Sequence, residues 1–138
     1  VYIFARSERS ERGSEFPNLR GVMDCNSCSK ECILPWNVLI QKLALISLVP
    51  HDVGGGGACF FRAFSQQFFG NPELHHHIRL SGVNHLSNHP ELYVESFGGD
   101  SWQGYITEMS KSGTWCDNLI IQAVSNTFNC VIHITDST

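Results

Sequence analysis

Apolar positions recur at helical spacing in five stretches of the chain, and a sixth stretch is dense in β-branched residues. From Pro35, one helical face is traced by Trp36, Leu39, Ile40, Leu43 and Ile46 or Ser47, with proline tolerated in the first turn and Pro50 ending the run. This helix is expected to pack under the loop that follows it. Phe60, Phe61, Phe64 and Phe68, with Ala63 beside them, predict a second helix closed by Gly70. Asn71-Pro72 opens a third, whose His75, Ile78, Arg79, Gly82, Val83 and Leu86 lie along one side and which ends before Pro90. Asp100-x-x-Gln103 has the form of a capping box for a short helix carrying Trp102, Tyr105, Ile106 and Met109, closed near Gly113. Asp117 caps the last helix, with Leu119, Ile120, Ala123, Val124 and Phe128 as its apolar stripe and Asn129 as its end. Cys130 to Thr135 then reads as a strand. The pattern offers it no partner, so the sheet is expected to be incomplete.

Length and composition narrow the picture. The 138 residues make one domain, with roughly 100 available for a core once a polar N-terminal stretch is set aside. Residues 1–32 read as a polar linker, since Arg6 to Asn18 mix Ser, Glu, Arg and Gly with few large apolar groups; residues 33–138 read as the domain. A formal charge of −4 gives no general basic field, which argues against direct nucleic-acid binding. The most apolar window, Ile33 to Val49, is interrupted by Pro35, Asn37, Gln41 and Lys42 and is not a membrane span. Charged residues from Arg6 to Arg12 exclude a signal-peptide core, and six cysteines are too few to dictate a disulfide scaffold, so reduced thiols and an intracellular setting, cytoplasm or nucleus, are expected. The chain begins with valine, which suggests a piece of a longer reading frame. Cys25, Cys28 and Cys32 resemble half of a zinc site, but no second Cys/His pair follows closely, so no metal is assigned.

The chemistry concentrates at Gly54-Gly55-Gly56-Gly57-Ala58-Cys59. Glycines let the backbone take φ > 0 and pack closely, so that consecutive N–H groups converge on one point. A thiol on the first turn of a helix feels the positive end of the helix dipole, which favours thiolate. Cys59 is therefore the candidate nucleophile. One competing reading is a structural cysteine, because free cysteines are among the most buried residues. Another is a phosphate loop, but no Lys-Ser/Thr follows the glycines and no convincing strand precedes them.

Cys59-Phe60-Phe61-Arg62-Ala63, then Arg79, then Asn88-His89-Pro90-Glu91, and finally Gly113-Thr114-Trp115-Cys116-Asp117 with Gln122-Ala123 resemble, in that order, the ovarian-tumour (OTU) family of cysteine proteases. The resemblance runs from about Val49 to Thr135, and the glycine run looks most like OTU-type domains of invertebrate proteins related to mobile-element helicases. It implies an α+β, papain-like fold, with helices packed on a small sheet, and thiol-dependent cleavage of ubiquitin-type isopeptide bonds. Ubiquitin or polyubiquitin is the implied partner, without a cofactor or membrane, and the chain is taken to be a monomer. Cys59 matches the family nucleophile, with backbone N–H groups of Gly57, Ala58 and Cys59 around the oxyanion. Arg62 and Ala63 look like a polar anchor and a tight-packing residue, and Trp115 resembles a core element.

Two departures matter. The family places Asp three residues before the cysteine, where this chain has Gly56; Asp52 lies seven residues ahead and is not equivalent. The family base is a histidine in a His-aromatic pair on a later strand, expected beyond Thr138. None of the seven histidines here precedes an aromatic residue, and the adjacent His75, His76 and His77 diverge by about 100° per residue on a helix, so no catalytic histidine is assigned. The expected function is thus an OTU-like deubiquitinase domain that is inactive as this fragment. The alternatives are a non-catalytic module that binds ubiquitin or another partner, and a zinc-binding segment on a structural domain.

Overall fold

A computed structural model describes residues 2–7, 33–48 and 50–135. Its elements in chain order are strand β1 (Tyr2–Ser7), helices α1 (Ile33–Leu45), α2 (Cys59–Phe69), α3 (His75–Asn88), α4 (Trp102–Met109) and α5 (Asn118–Phe128), and strand β2 (Cys130–Thr135). Single 3-10 turns at Pro72–Leu74, Pro90–Leu92 and Val94–Ser96 join α2 to α3 and α3 to α4. The expected helices and the terminal strand all form.

The strand expected to stand alone has a partner. β1 pairs with β2 antiparallel, from Tyr2 opposite Thr135 to Ser7 opposite Cys130, in a two-stranded sheet. Residues 2–7 belong to the stretch expected to be a polar linker, and the charge and serine that begin at Arg6 mask the short apolar run Tyr2 to Ala5 that forms the strand. Cys25, Cys28 and Cys32 lie outside the described residues.

The core is built on α2. Phe60, Phe61 and Phe64 are wholly buried and meet Ile78, Val83 and Leu86 of α3 and Ile120, Ala123 and Val124 of α5 in one cluster. Phe64 stacks on Phe68 with ring centroids 5.5 Å apart and meets Phe128 at 5.2 Å. Such pairs add attraction beyond the area they bury. Phe68 itself sits at the margin and is 40% exposed. Gly82 brings α3 against α5: a Cβ there would lie 2.8 Å from Val124 and 2.9 Å from Ile120. Leu39 and Leu43 of α1 are buried, but with Leu48 in a cluster of their own rather than within the main core.

The helix ends follow local chemistry. Gly70 closes α2 at φ +71°, and Asn129 closes α5 at φ +48°, the left-handed conformation that glycine and asparagine tolerate best. Asp117 caps α5 by accepting the Ile120 N–H at 3.1 Å. The cap of α4 is Ser101, whose Oγ accepts the Gly104 N–H at 3.1 Å, one residue after the expected Asp100. Asn71 caps the 3-10 turn before α3 by accepting the Glu73 N–H. The proline-led segment therefore enters α3 through a tighter turn.

Candidate active site

Cys59 is the first residue of α2, and the glycine run delivers it there through a tight turn. The Cys59 N–H donates to the Gly56 carbonyl at 3.0 Å, closing a four-residue turn over Gly56, Gly57, Ala58 and Cys59. Ala58 has φ −92° and ψ −2°, the values of the third residue of a type I turn. Gly54 and Gly56 take φ of +86° and +96°, where an L side chain is strained. Upstream, Asp52 Oδ1 accepts the Gly54 N–H at 2.8 Å and ties the start of the run to itself.

Gly57 is required for a different reason. A Cβ there would overlap the Gly113 carbonyl oxygen outright, with the Gly113 carbonyl carbon at 2.5 Å and that of Thr114 at 3.2 Å. The glycine turn and the segment between α4 and α5 thus pack backbone against backbone.

Arg79 clamps these two segments together. It projects from α3, is wholly buried, and stacks its guanidinium 4.0 Å over the ring of Phe61. Its Nη2 donates to the carbonyls of Gly57 (2.9 Å), Ser112 (3.2 Å) and Thr114 (2.7 Å), and its Nη1 donates to that of Met109 (2.9 Å). Burial lowers the guanidinium from its ordinary value, while the thiols of Cys116 and Cys59 nearby act to raise it. An arginine remains charged through such a shift. Nη1 also lies 3.8 Å from Met109 Sδ, and the buried Nε has no hydrogen-bond partner among the described residues; carbonyl dipoles hold this cation without a carboxylate.

The clamp brings two thiols into one electrostatic neighbourhood. Burial pushes the Cys116 thiol up to about 11, with Cys59 and Asp117 adding to the rise and its backbone hydrogen bond and Arg79 opposing it. Cys116 is accordingly a protonated thiol at neutral pH. Cys59 is 1% exposed and packs in the main core. Neither is in a disulfide, nor is Cys130. Beside them, Tyr105 donates its hydroxyl to Asp117 Oδ1 at 2.8 Å, the same oxygen that caps α5.

The three expected oxyanion donors do not stand alike. The Cys59 N–H is engaged by the turn itself, whereas no hydrogen bond among the described residues engages the N–H groups of Gly57 and Ala58. Arg62, the expected polar anchor, reaches Glu73 at 3.6 Å, and its Nη1 lies 3.5 Å from where a Gly54 Cβ would stand. Ala63 is buried. Trp115, expected in the core, is 55% exposed.

The histidines divide into separate environments. His75 is shifted down by burial and by Arg62, and His85 by burial and by His89; Cys59 is not among the charges acting on either. Each has one buried ring nitrogen without a partner, Nδ1 of His75 and Nε2 of His85. His133 lies on β2 opposite Phe4. Among the described residues, no group of three His, Cys, Asp or Glu side chains is placed to hold a metal ion, and no helix is long and apolar enough to cross a membrane.

What sequence reasoning missed was the clamp. Arg79 stood out only as one position in an ordered series, and its four carbonyl partners come from two distant segments. Cys116 was part of the same series, with nothing local to show that Cys59 acts on its thiol.

Residues 54–138 match the family model described as OTU-like cysteine protease. The chain is 32% identical over 99 residues to OVARIAN TUMOR DOMAIN-containing deubiquitinating enzyme 9 of Arabidopsis thaliana, covering 72% of this chain and 28% of that protein. It is 33% identical over 99 residues to enzyme 12 of the same series and organism, covering 72% and 45%. With enzyme 11 it shares 30% over 118 residues, 86% of this chain and 46% of the relative. The chain therefore spans less than half the length of these curated relatives. The solved structure of the OTUD1 OTU domain superposes with a TM-score of 0.68 at 18% identity, over 73% of this chain and 78% of that one, a likeness of fold. With the family model covering the glycine turn, the Arg79 clamp and the final strand, the chain belongs to the OTU-like cysteine protease family.

Proposed function

We propose that this chain is an OTU-like deubiquitinase domain in which Cys59 attacks the carbonyl carbon of ubiquitin's C-terminal glycine and the isopeptide amine leaves. The observation that carries this reading is the placement of Cys59 at the first turn of α2, behind a glycine turn clamped by Arg79. Helix-dipole stabilisation of the thiolate and backbone donors near the attacked carbonyl are what thiol acyl transfer needs. The relatives named as deubiquitinating enzymes support the substrate class.

The general base is not among the histidines described here, since none precedes an aromatic residue and Cys59 acts on neither His75 nor His85. Without a positioned base, proton removal from the thiol and delivery to the leaving amine lose a factor on the order of 100 or more. The 138 residues alone are thus expected to hydrolyse ubiquitin conjugates poorly. Reduced cysteines fit an intracellular setting, and the acidic balance fits a ubiquitin-binding monomer better than a nucleic-acid binder.

A second reading, a module that binds ubiquitin without cleaving it, is favoured by Gly56 where the family carries Asp. Di-ubiquitin cleavage separates the two. The 138-residue chain should be slow, a longer form extended past Thr138 to include a His-aromatic strand should be fast, and Cys59→Ala should abolish turnover in both. Equal turnover by short and long forms would place the base within these residues. An inert long form that still binds ubiquitin would favour the binding module.

A further inference from the structure

We infer that Arg79 is a positioning residue for this chemistry: it locks the Gly57–Ala58 peptide in the orientation that turns the Ala58 N–H away from the core as an oxyanion donor. The inference rests on the reading of Cys59 as the nucleophile and deepens it.

The argument starts from the turn. Gly57–Ala58 is the central peptide of the turn closed by the Cys59 N–H on the Gly56 carbonyl. Types I and II share that closing hydrogen bond and differ by a rotation of the central peptide of about 180°. A four-residue turn alone therefore leaves two orientations of this peptide open, and glycine at position 57 removes a steric preference between them. Because a trans peptide is planar, its C=O and N–H point in opposite directions. Fixing one fixes the other.

Arg79 fixes the carbonyl. Its Nη2 donates to the Gly57 oxygen at 2.9 Å, and the guanidinium cannot follow a flip because it is also held by Met109, Ser112 and Thr114 and stacked on Phe61. The flipped turn would present the Ala58 N–H to a buried cation, donor against donor, and leave the Gly57 oxygen facing outward where negative charge develops. Ala58 opposes that state as well, since type II demands φ near +80° at this position. The charged donor on the Gly57 carbonyl also polarises the peptide and strengthens its N–H as a donor. Among the three expected oxyanion donors, the Cys59 N–H is spent on the turn, so the Ala58 N–H is the one this clamp orients.

Two ubiquitin probes separate the role from simple stability. Ubiquitin ending in an aldehyde forms a hemithioacetal whose oxygen needs the donor, whereas ubiquitin ending in a bromoethylamide alkylates the thiol by displacing bromide and forms no oxyanion. In the 138-residue chain, Arg79→Lys should weaken aldehyde binding by about tenfold or more, while the alkylation rate stays within about twofold of the parent. Ala58→Gly, which leaves Arg79 in place and makes the flipped turn accessible, should move the same ratio in the same direction by a smaller factor. If Arg79→Lys loses both reactions in parallel, Arg79 is merely structural and the inference is overturned. If Arg79→Lys does not fold, a fall in the Ala58→Gly ratio as large as that expected for Arg79→Lys overturns it, because the Ala58 side chain and not the clamp would then hold the peptide. Should the parent chain be inert to both probes for want of a base, the ratio is read in the form extended past Thr138, and an extended form inert to both refutes the proposed function first, and this inference with it.

Discussion

The four glycines before Cys59 should respond to alanine in three different ways, because each occupies a different physical situation. Gly57→Ala places a Cβ into the Gly113 carbonyl group, with its carbon at 2.5 Å. Ordinary carbon contacts lie near 3.5–4.0 Å and the carbonyl oxygen lies nearer still than its carbon, so backbone must move by more than about 1 Å. The obstructing segment is tethered through Thr114 to Arg79, which leaves it little room. Overpacking of this kind costs about 3 kcal/mol, the upper end of the usual range. Gly54 and Gly56 face no such obstruction but stand at φ +86° and +96°, so alanine there costs about 1–2 kcal/mol of backbone strain. Gly55 has neither constraint, and alanine should stabilise by about 0.4–1 kcal/mol through the unfolded chain. For a chain of this size each kcal/mol moves Tm by roughly 3–5 °C. Thermal unfolding followed by circular dichroism should therefore rank the variants Gly55→Ala highest, Gly54→Ala and Gly56→Ala lower, and Gly57→Ala lowest, about 10 °C or more below Gly55→Ala. A Gly57→Ala melting point within a few degrees of Gly55→Ala would refute the backbone contact between the glycine turn and Gly113.

Three further outcomes follow from the surroundings of the site. Only thiolate alkylates, so Cys116, pushed up to about 11, should react with iodoacetamide about tenfold faster per pH unit from neutrality towards that value, as peptide mapping of Cys116 would show; a plateau below pH 9 would contradict its burial beside Cys59. Tyr105→Phe removes the hydroxyl donor from Asp117 Oδ1 and should cost about 1 kcal/mol in urea unfolding, so a neutral result would mean that this contact is not held in solution. His75 and His85 are both held below their ordinary value, chiefly by burial, so the unfolded chain takes up protons before the folded one. Their contribution is fully present above about pH 6.5 and is lost as pH falls; replacing both with Gln should flatten the loss of stability on acidification, and an unchanged acid limb would show that other groups drive it.

The helices were legible because their information is local. Phe60, Phe61 and Phe64 repeat at the helical period and all three are buried, and Asp117 and Asn129 mark the two ends of α5 by capping chemistry that needs no tertiary context. The shift of the α4 cap from Asp100 to Ser101 is a one-residue competition between two good capping side chains, which the backbone entering the helix decides. Strand β1 was not legible. Its six residues pair across about 130 positions of sequence with β2, and neither local pattern states that register. Trp115 shows the limit of reading burial from residue type: an aromatic at the edge of a turn between two helices has a large apolar surface, yet here it is more than half exposed.

The candidate site was legible only as far as one segment could carry it. Cys59 and its glycines are contiguous, so a helix-start thiol could be read directly. The clamp could not, because its meaning lies in carbonyl oxygens, which every residue possesses and no sequence marks. Arg79 satisfies four of them from two segments, and the steric demand of Gly57 becomes apparent only once Gly113 is set against it. The same argument bears on Gly56. At φ +96° that position favours glycine on backbone grounds, while Asp52 reaches the loop through the Gly54 N–H four to five residues ahead of the turn's close. The turn in this chain is therefore shaped from its flanks, by Asp52 before it and Arg79 beneath it, and a carboxylate at position 56 is not what gives it form.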